Sequence, residues 1–279
     1  MQNVPFYKMS GTGNDFIIID NRDGAFNHLV TPAFVRAICR RRVAVGADGV
    51  IFIQKSTTCD FAWQFFNADG STAEMCGNGA RCAARYAVLR GIAGQTVCFE
   101  TRAGVIRAHV QGARVKTQLT PPGLPELDIQ LEIGGAPYVV HSINTGVPHV
   151  VCFVENVAAV AVEQIGRTIR FHPRFQPAGT NVNFVSQKQG NMLEIRTYER
   201  GVEGETLACG TGSVAAALIA ITLGKATSPV AITTAGGDML QVYVDSLTPP
   251  FHEVYLEGDT TVVFHGELWE EAWMRACRT

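Results

Sequence analysis

Cys76 and Cys209 are the residues whose type and placement point most directly to chemistry. After Cys76 comes GNGARCAARYAVLR and then Gly91; after Cys209 comes GTGSVAAALIAITL and then Gly224. Both segments are rich in alanine and aliphatic residues and run to a glycine suited to the left-handed position past a helix end. Each cysteine is therefore expected at a helix N-terminus. There the first N–H groups have no intrahelical acceptors, and the macrodipole places about half a positive charge. A thiol with an ordinary pKa of ~8.5 is favoured as thiolate at such a position. The same N–H groups, on small residues, form an anion site able to take an α-carboxylate.

One thiolate and one thiol acting on the two faces of an α-carbon can invert it. One removes the α-proton, the other delivers a proton to the opposite side, and the roles exchange with substrate hand. This chemistry requires no pyridoxal phosphate or metal, so no cofactor is expected. The carbanion is hard to form, so the site should exclude water and hold the carboxylate against the helix N–H groups. The other six cysteines, Cys39, Cys59, Cys82, Cys98, Cys152 and Cys277, read as small buried hydrophobes. With no CxxC pair and no small secreted framework, most thiols are expected to be reduced.

The elements that would position the two cysteines recur along the chain at an offset of about 133 residues. Gly13 in GNDFIIID corresponds to Gly146 in GVPHVVCF, Gly46 in GADGVIFI to Gly179 in GTNVNFV, Cys76 to Cys209, and Gly91 to Gly224. The frame continues into VCFETRAG and VAITTAG with a slip of one residue. Two similar lobes are implied, 1–120 with Cys76 and 121–279 with Cys209, joined through the proline-rich segment 120–125. Around the helices the pattern is one of short strands, at 50–54, 61–66, 105–110, 139–143, 193–198 and 240–244. Thr31 and Pro32 open a shorter helix expected to run to Arg42, with Arg40, Arg41 and Arg42 at its end.

The 279 residues are 47% hydrophobic and 17% charged with a net charge of −2, a globular composition without the concentrated basic field of a nucleic-acid binder. No window has the ~20 apolar residues of a membrane span and the N-terminus has no signal-like apolar core. A cytoplasmic protein with a small-molecule partner is expected, without nucleic acid or membrane.

With GTGNDF (11–16), GADGV (46–50), FFNADGSTAEMCGNGARC (65–82), GVPH (146–149), TNVNFV (180–185) and YERGVEGETLACGTGS (198–213), the chain closely resembles the diaminopimelate epimerases. The resemblance covers nearly the whole chain. It implies an α/β (α+β) fold of two pseudo-symmetric lobes, each a curled, mostly antiparallel sheet around a central helix, with residues from about 265 able to return to the first lobe. It implies interconversion of LL- and meso-diaminopimelate, no cofactor, and an amino-acid substrate, and it leaves a homodimer open. Carried over by motif, Cys76 and Cys209 are the acid/base pair, assisted by His149 and Glu199. Gly77, Asn78, Gly210 and Thr211 bind the carboxylate, while Asn14, Asn67, Asn181 and Arg200 hold the other polar groups.

Three positions depart from the family pattern. Val147 stands where GNPH has asparagine, Val202, Glu203 and Gly204 lengthen the ERG-to-CGTG spacing by one residue, and Thr12 replaces leucine. Other readings stay open: Asn14, Asn67 and Asn181 as turn asparagines, with NADG (67–70) itself a turn signal; His149 as a core histidine; Glu199 with Arg200 as a structural ion pair. Rival functions are a broad-specificity, glutamate- or proline-type racemase, a phenazine-type isomerase, a thiol hydrolase using His149, a dinucleotide binder at GTG, and a two-lobed amino-acid-binding protein.

Overall fold

The structure is a computed structural model that describes residues 3–274, so Cys277 lies outside the described residues. The chain divides into two compact units, residues 1–117 with 258–279, and residues 118–257. The return to the first unit thus begins at Gly258, ahead of His265. Its cause is strand pairing, since the strand that follows lies antiparallel along the first strand of the chain from Ser10↔Thr261 to Val4↔Leu268.

In the first unit the order is β1 (Val4–Gly11), β2 (Asn14–Asp20), α1 (Pro32–Cys39), β3 (Gly49–Gln54), β4 (Phe61–Asn67), α2 (Gly77–Leu89), β5 (Thr96–Thr101), β6 (Gly104–Gln111) and β7 (Arg114–Leu119). β1–β2, β3–β4, β5–β6 and β6–β7 pair antiparallel, while β2–β3 and β4–β5 pair parallel. In the second unit follow β8 (Glu126–Ile133), β9 (Ala136–Asn144), β10 (Pro148–Phe153), α3 (Val162–Arg170), β11 (Asn181–Gln187), β12 (Met192–Glu199), β13 (Gly204–Thr206), α4 (Gly210–Thr222), β14 (Val230–Thr233), β15 (Met239–Val244) and β16 (Val254–Asp259). β9–β10, β11–β12 and β14–β15 pair antiparallel, and β10–β11 and β12–β14 parallel, which repeats the order of the first unit. β17 (Thr261–Leu268) and the short α5 (Glu271–Met274) complete the described chain.

Each unit wraps its strands around one thirteen-residue helix. α2 is buried among Met9, Phe16, Ile51, Trp63, Phe99 and Ile106. α4 is enclosed by Val151, Val185, Ile195, Ile232, Leu240 and Val242. α4 is apolar all round because it is covered on every side; α2 carries Arg81 and Arg85 where α4 has Val214 and Leu218. Both helices end in the same way. Gly91 and Gly224 take φ of 65° and 68°, and the N–H groups of Ile92 and Lys225 return to the carbonyls of Ala87 and Ala220, both at 2.8 Å. On the far side of the strands α1 and α3 cover separate apolar layers.

Two expectations are corrected. α1 is capped by the Thr31 hydroxyl as expected but ends at Cys39, not Arg42. Arg41 instead gives its guanidinium to Asp15 and Asp48, a stronger use of the charge than a helix end. Cys59 and Cys98 form a disulfide across a Cα–Cα distance of 5.2 Å and are not two separate buried thiols. Parallel pairing of Phe61 with Phe99 brings them together. Cys39, Cys82 and Cys152 are buried thiols; desolvation pushes Cys39 and Cys82 up to about 12 and Cys152 also upward. Among the described residues no helix is long and apolar enough to cross a membrane.

Candidate functional site

In the first unit Cys76 is the N-cap of α2, held extended at φ −145°, and its Sγ accepts from the Gly79 N–H at 3.5 Å. Gly77 and Asn78 follow as the first helical residues, where N–H groups lack intrahelical partners. The Asn78 carboxamide is fixed from both ends. Its Nδ2 donates to Asn14 Oδ1 at 2.7 Å, and its Oδ1 accepts from the buried Arg81 at 2.6 Å. Asn14 in turn donates from Nδ2 to Asp48 at 3.0 Å. Behind it, Asp15 and Asp48 share Arg41, and Lys8 meets Asp15 at 2.7 Å. Burial acts to raise the Asp15 pKa, but Arg41 and Lys8 outweigh it and bring it down to about 2. The amide of Asn14 is thus oriented by Asp48, which shares Arg41 with Asp15.

Asn67 lies exposed at the end of β4. Its Nδ2 donates to Ser71 Oγ at 3.0 Å, and the Gly70 N–H closes a turn onto its carbonyl at 2.9 Å. The turn reading of NADG therefore describes its own bonds.

The second unit repeats the helix start. Cys209 is the N-cap of α4 at φ −126°, its Sγ 3.6 Å from the Thr211 hydroxyl, with Gly210 and Thr211 as the first helical residues. The Thr211 carbonyl accepts from the Thr145 hydroxyl at 3.1 Å, and Gly212 leaves room that a side chain would fill. A Cβ there would meet Asn183 Oδ1 at 2.3 Å and Cys209 Sγ at 3.2 Å. Asn183 is fully buried, donates to Val150 O at 2.8 Å and accepts from Thr197 at 3.0 Å. Its Nδ2 also lies 3.2 Å from His149 Nδ1.

His149 is buried, and desolvation, with Arg200 adding to it, lowers its pKa to about 3. It is a neutral imidazole. Asn181, at the head of β11, accepts from the Arg200 N–H at 2.8 Å and donates to Pro148 O at 3.2 Å, tying β10, β11 and β12 together. The Arg200 guanidinium donates to Ala178 O at 3.0 Å. Glu199 ends β12, and burial raises its carboxyl pKa against the opposing influence of the Thr206 hydroxyl.

At the 133-residue offset the two units have diverged in one direction. Phe16, Val50, Phe66 and Asn67 in the first correspond to His149, Asn183, Glu199 and Arg200 in the second. At these four positions His149, Asn183, Glu199 and Arg200 are particular to the second unit, whereas the first unit's charges, Arg81 and the cluster of Lys8, Asp15, Arg41 and Asp48, come from other positions.

Asn183 and Asp48 were not among the residues singled out in the sequence. The signal for Asn183 was strand alternation, which puts it on the same face of β11 as Asn181. For Asp48 it was the offset, which pairs it with Asn181. Among the described residues no cluster of three or more His, Cys, Asp or Glu side chains could hold a metal ion.

The fold is that of a class of two-unit α/β proteins. The Bacillus anthracis phenazine biosynthesis protein of the PhzF family matches at TM-score 0.72 and 15% identity, over 96% of this chain and all of that one. A hydroxyproline epimerase from Agrobacterium vitis, solved with trans-4-hydroxy-L-proline, matches at 0.70 and 13%, over 99% and 98%. Within that class, the chain belongs to the diaminopimelate epimerase family, which matches residues 6–124 and 141–263. The diaminopimelate epimerase of Aquifex aeolicus is 48% identical over 96% of this chain and 99% of its own. That of Archaeoglobus fulgidus is 42% identical over 95% and 96%. The protein is an isomerase.

Proposed function

We propose that the enzyme interconverts LL- and meso-diaminopimelate, for lysine and peptidoglycan synthesis, with Cys76 and Cys209 as the acid/base pair. The observation that carries this reading is the matched placement of the two thiols as N-caps of two thirteen-residue helices in two units of like strand order. One cysteine, as thiolate, takes the α-proton; the other, as thiol, returns a proton to the opposite face. The N–H groups of Gly77 and Asn78, and of Gly210 and Thr211, hold the α-carboxylate and the negative charge that develops next to it.

His149, neutral and oriented by Asn183, and Glu199, whose carboxyl pKa burial raises, assist the cysteines. Asn14, Asn67 and Asn181 hold the substrate's other polar groups, and Arg200 binds the distal carboxylate through paired hydrogen bonds. Asn181 already uses one Nδ2 hydrogen on Pro148, so its second is the one left for substrate. A cytoplasmic enzyme acting on a small-molecule amino acid belongs to the same reading. The direct test follows LL- and meso-diaminopimelate and both glutamate enantiomers by chiral separation. Interconversion of the two diaminopimelate isomers is expected, and turnover of glutamate alone would overturn the assignment.

A further inference from the structure

The strand β12 ends at Glu199 and turns back into β13 through Arg200, Gly201, Val202 and Glu203. At the end of this turn Glu203 adopts φ +56°, a left-handed conformation that glycine takes freely and most side chains do not. Local geometry alone would place glycine there, as it does at Gly201. What glutamate adds is its carboxylate, and that carboxylate is a hub. Oε1 accepts from Arg170 Nε at 3.2 Å, from a second Arg170 nitrogen at 3.1 Å and from the Gly201 N–H at 3.0 Å. Oε2 accepts from the Tyr198 hydroxyl at 3.3 Å.

These partners join three parts of the second unit. Arg170 is the last residue of α3 and is largely buried. Tyr198 is buried on β12 under Gly166 of α3, where a Cβ would lie 2.5 Å from that of Tyr198. Gly201 is the residue immediately after Arg200. The peptide that leaves Arg200 is thus bonded, through one carboxylate, to the end of α3. On its other side the Arg200 N–H is bonded to Asn181. The backbone of Arg200 is held from both neighbours, and only one of the two holds comes from the sheet.

We infer that Glu203 is a positioning residue that fixes Arg200 for the distal carboxylate of the substrate by clamping the turn to Arg170 of α3. This rests on the reading of Arg200 as the distal anchor. A bidentate guanidinium–carboxylate pair needs its backbone fixed to a fraction of an ångström, because two parallel bonds are lost together when the fork rotates. Without the clamp β13 stays bonded to α3 through the Glu205 N–H on Glu163 at 2.9 Å, but the turn itself, with the peptide that leaves Arg200, loses its own tie to the helix. The substrate is then bound less well, and the chemistry at the cysteines is left as it was.

The test compares steady-state kinetics on diaminopimelate for the parent, Glu203→Gln, Glu203→Gly, Arg170→Met, the Arg170→Met/Glu203→Gln double variant and Arg200→Ala, with thermal denaturation of each. Glu203→Gly separates turn geometry from the carboxylate, since it relieves the left-handed backbone while removing the hub. The inference predicts a KM raised about tenfold in both Glu203 variants and in Arg170→Met, with kcat within about twofold of the parent, as expected for one lost charge-assisted hydrogen-bond group. The double variant should be no worse than either single one, because both break the same clamp. A parent-like KM in Glu203→Gly, while Arg200→Ala is impaired, overturns the inference. So does a fall in kcat that tracks a lowered melting temperature, which is the signature of a purely structural role. Parent-like kinetics in Arg200→Ala would remove the anchor reading itself, and the inference with it.

Discussion

Asn183 fixes the tautomer of His149. The Val150 carbonyl can only accept, so the Asn183 atom facing it at 2.8 Å is Nδ2, and that same NH2 group donates to His149 Nδ1 at 3.2 Å. The imidazole proton therefore sits on Nε2, the nitrogen that has no protein hydrogen-bond partner among the described residues. A buried, neutral histidine with a defined N–H is suited to steadying a thiolate and unsuited to gaining a proton at neutral pH.

This arrangement has a consequence for stability. The His149 pKa is about 3 in the folded protein and about 6.5 in the unfolded chain, so between those values the unfolded state binds the extra proton. Stability should fall as pH drops from about 6.5 toward 3, by a total on the order of a few kcal/mol. Asp15, lowered to about 2, adds its own loss only below its ordinary value of 3.8. Melting curves from pH 7 to 4 should therefore show a decline that is reduced in His149→Phe, the residue type at the equivalent Phe16. An equal decline in both would remove His149 as the cause.

The glycines at the two helix starts should respond differently to substitution. Gly212→Ala puts a Cβ 2.3 Å from Asn183 Oδ1, so Asn183 must move off His149 and Thr197 or α4 must shift. Overpacking of this kind costs about 1–3 kcal/mol. Gly77→Ala meets nothing within 4 Å and its φ is not left-handed, so its melting temperature should stay near the parent's or rise slightly. Thermal denaturation of the two variants should separate them, and equal melting temperatures would count against the packing argument.

Substrate choice should turn on Arg200 and Val147. Arg200→Ala removes bonds to a charged group worth roughly 1.5–3 kcal/mol, so kcat/KM for diaminopimelate should fall about 10- to 150-fold. Val147 stands at the position of Asn14 in the repeat and has no amide to offer. Val147→Asn should regain about 0.5–1.5 kcal/mol and sharpen the preference for diaminopimelate over a shorter diacid such as glutamate. Unchanged diaminopimelate kinetics in Arg200→Ala would mean that the distal anchor lies elsewhere.

The two helix starts were legible because their signals are local: an alanine-rich run, a terminal glycine and a cysteine at the cap, written twice at one offset. The six strand segments read from β-branched and aromatic runs fall within β3, β4, β6, β9, β12 and β15 for the same reason. What escaped depends on chain segments that meet only after folding. The basic run at Arg40 looked like a helix end, but Asp15 and Asp48 capture Arg41 from other elements. Cys59 and Cys98 are 39 residues apart and are brought together by the β4–β5 pairing. Asn183 carries no local mark of its role, because what places it is the packing of β11 on α4, where a Cβ at Gly212 would lie 2.3 Å from Asn183 Oδ1 and 3.2 Å from Cys209 Sγ.

Epimerisation in heavy water tests the two-cysteine account most directly. LL-Diaminopimelate is incubated with the parent, Cys76→Ala and Cys209→Ala, and the isomers are separated and weighed by mass at low conversion. Two separate proton carriers predict that the parent's meso product carries deuterium at the inverted carbon while the remaining LL substrate is still largely protiated. They also predict that neither alanine variant forms meso product at a measurable rate, because each lacks the proton carrier for one face. Near-normal turnover by either variant, or a meso product that retains the substrate's own α-hydrogen, would contradict the account.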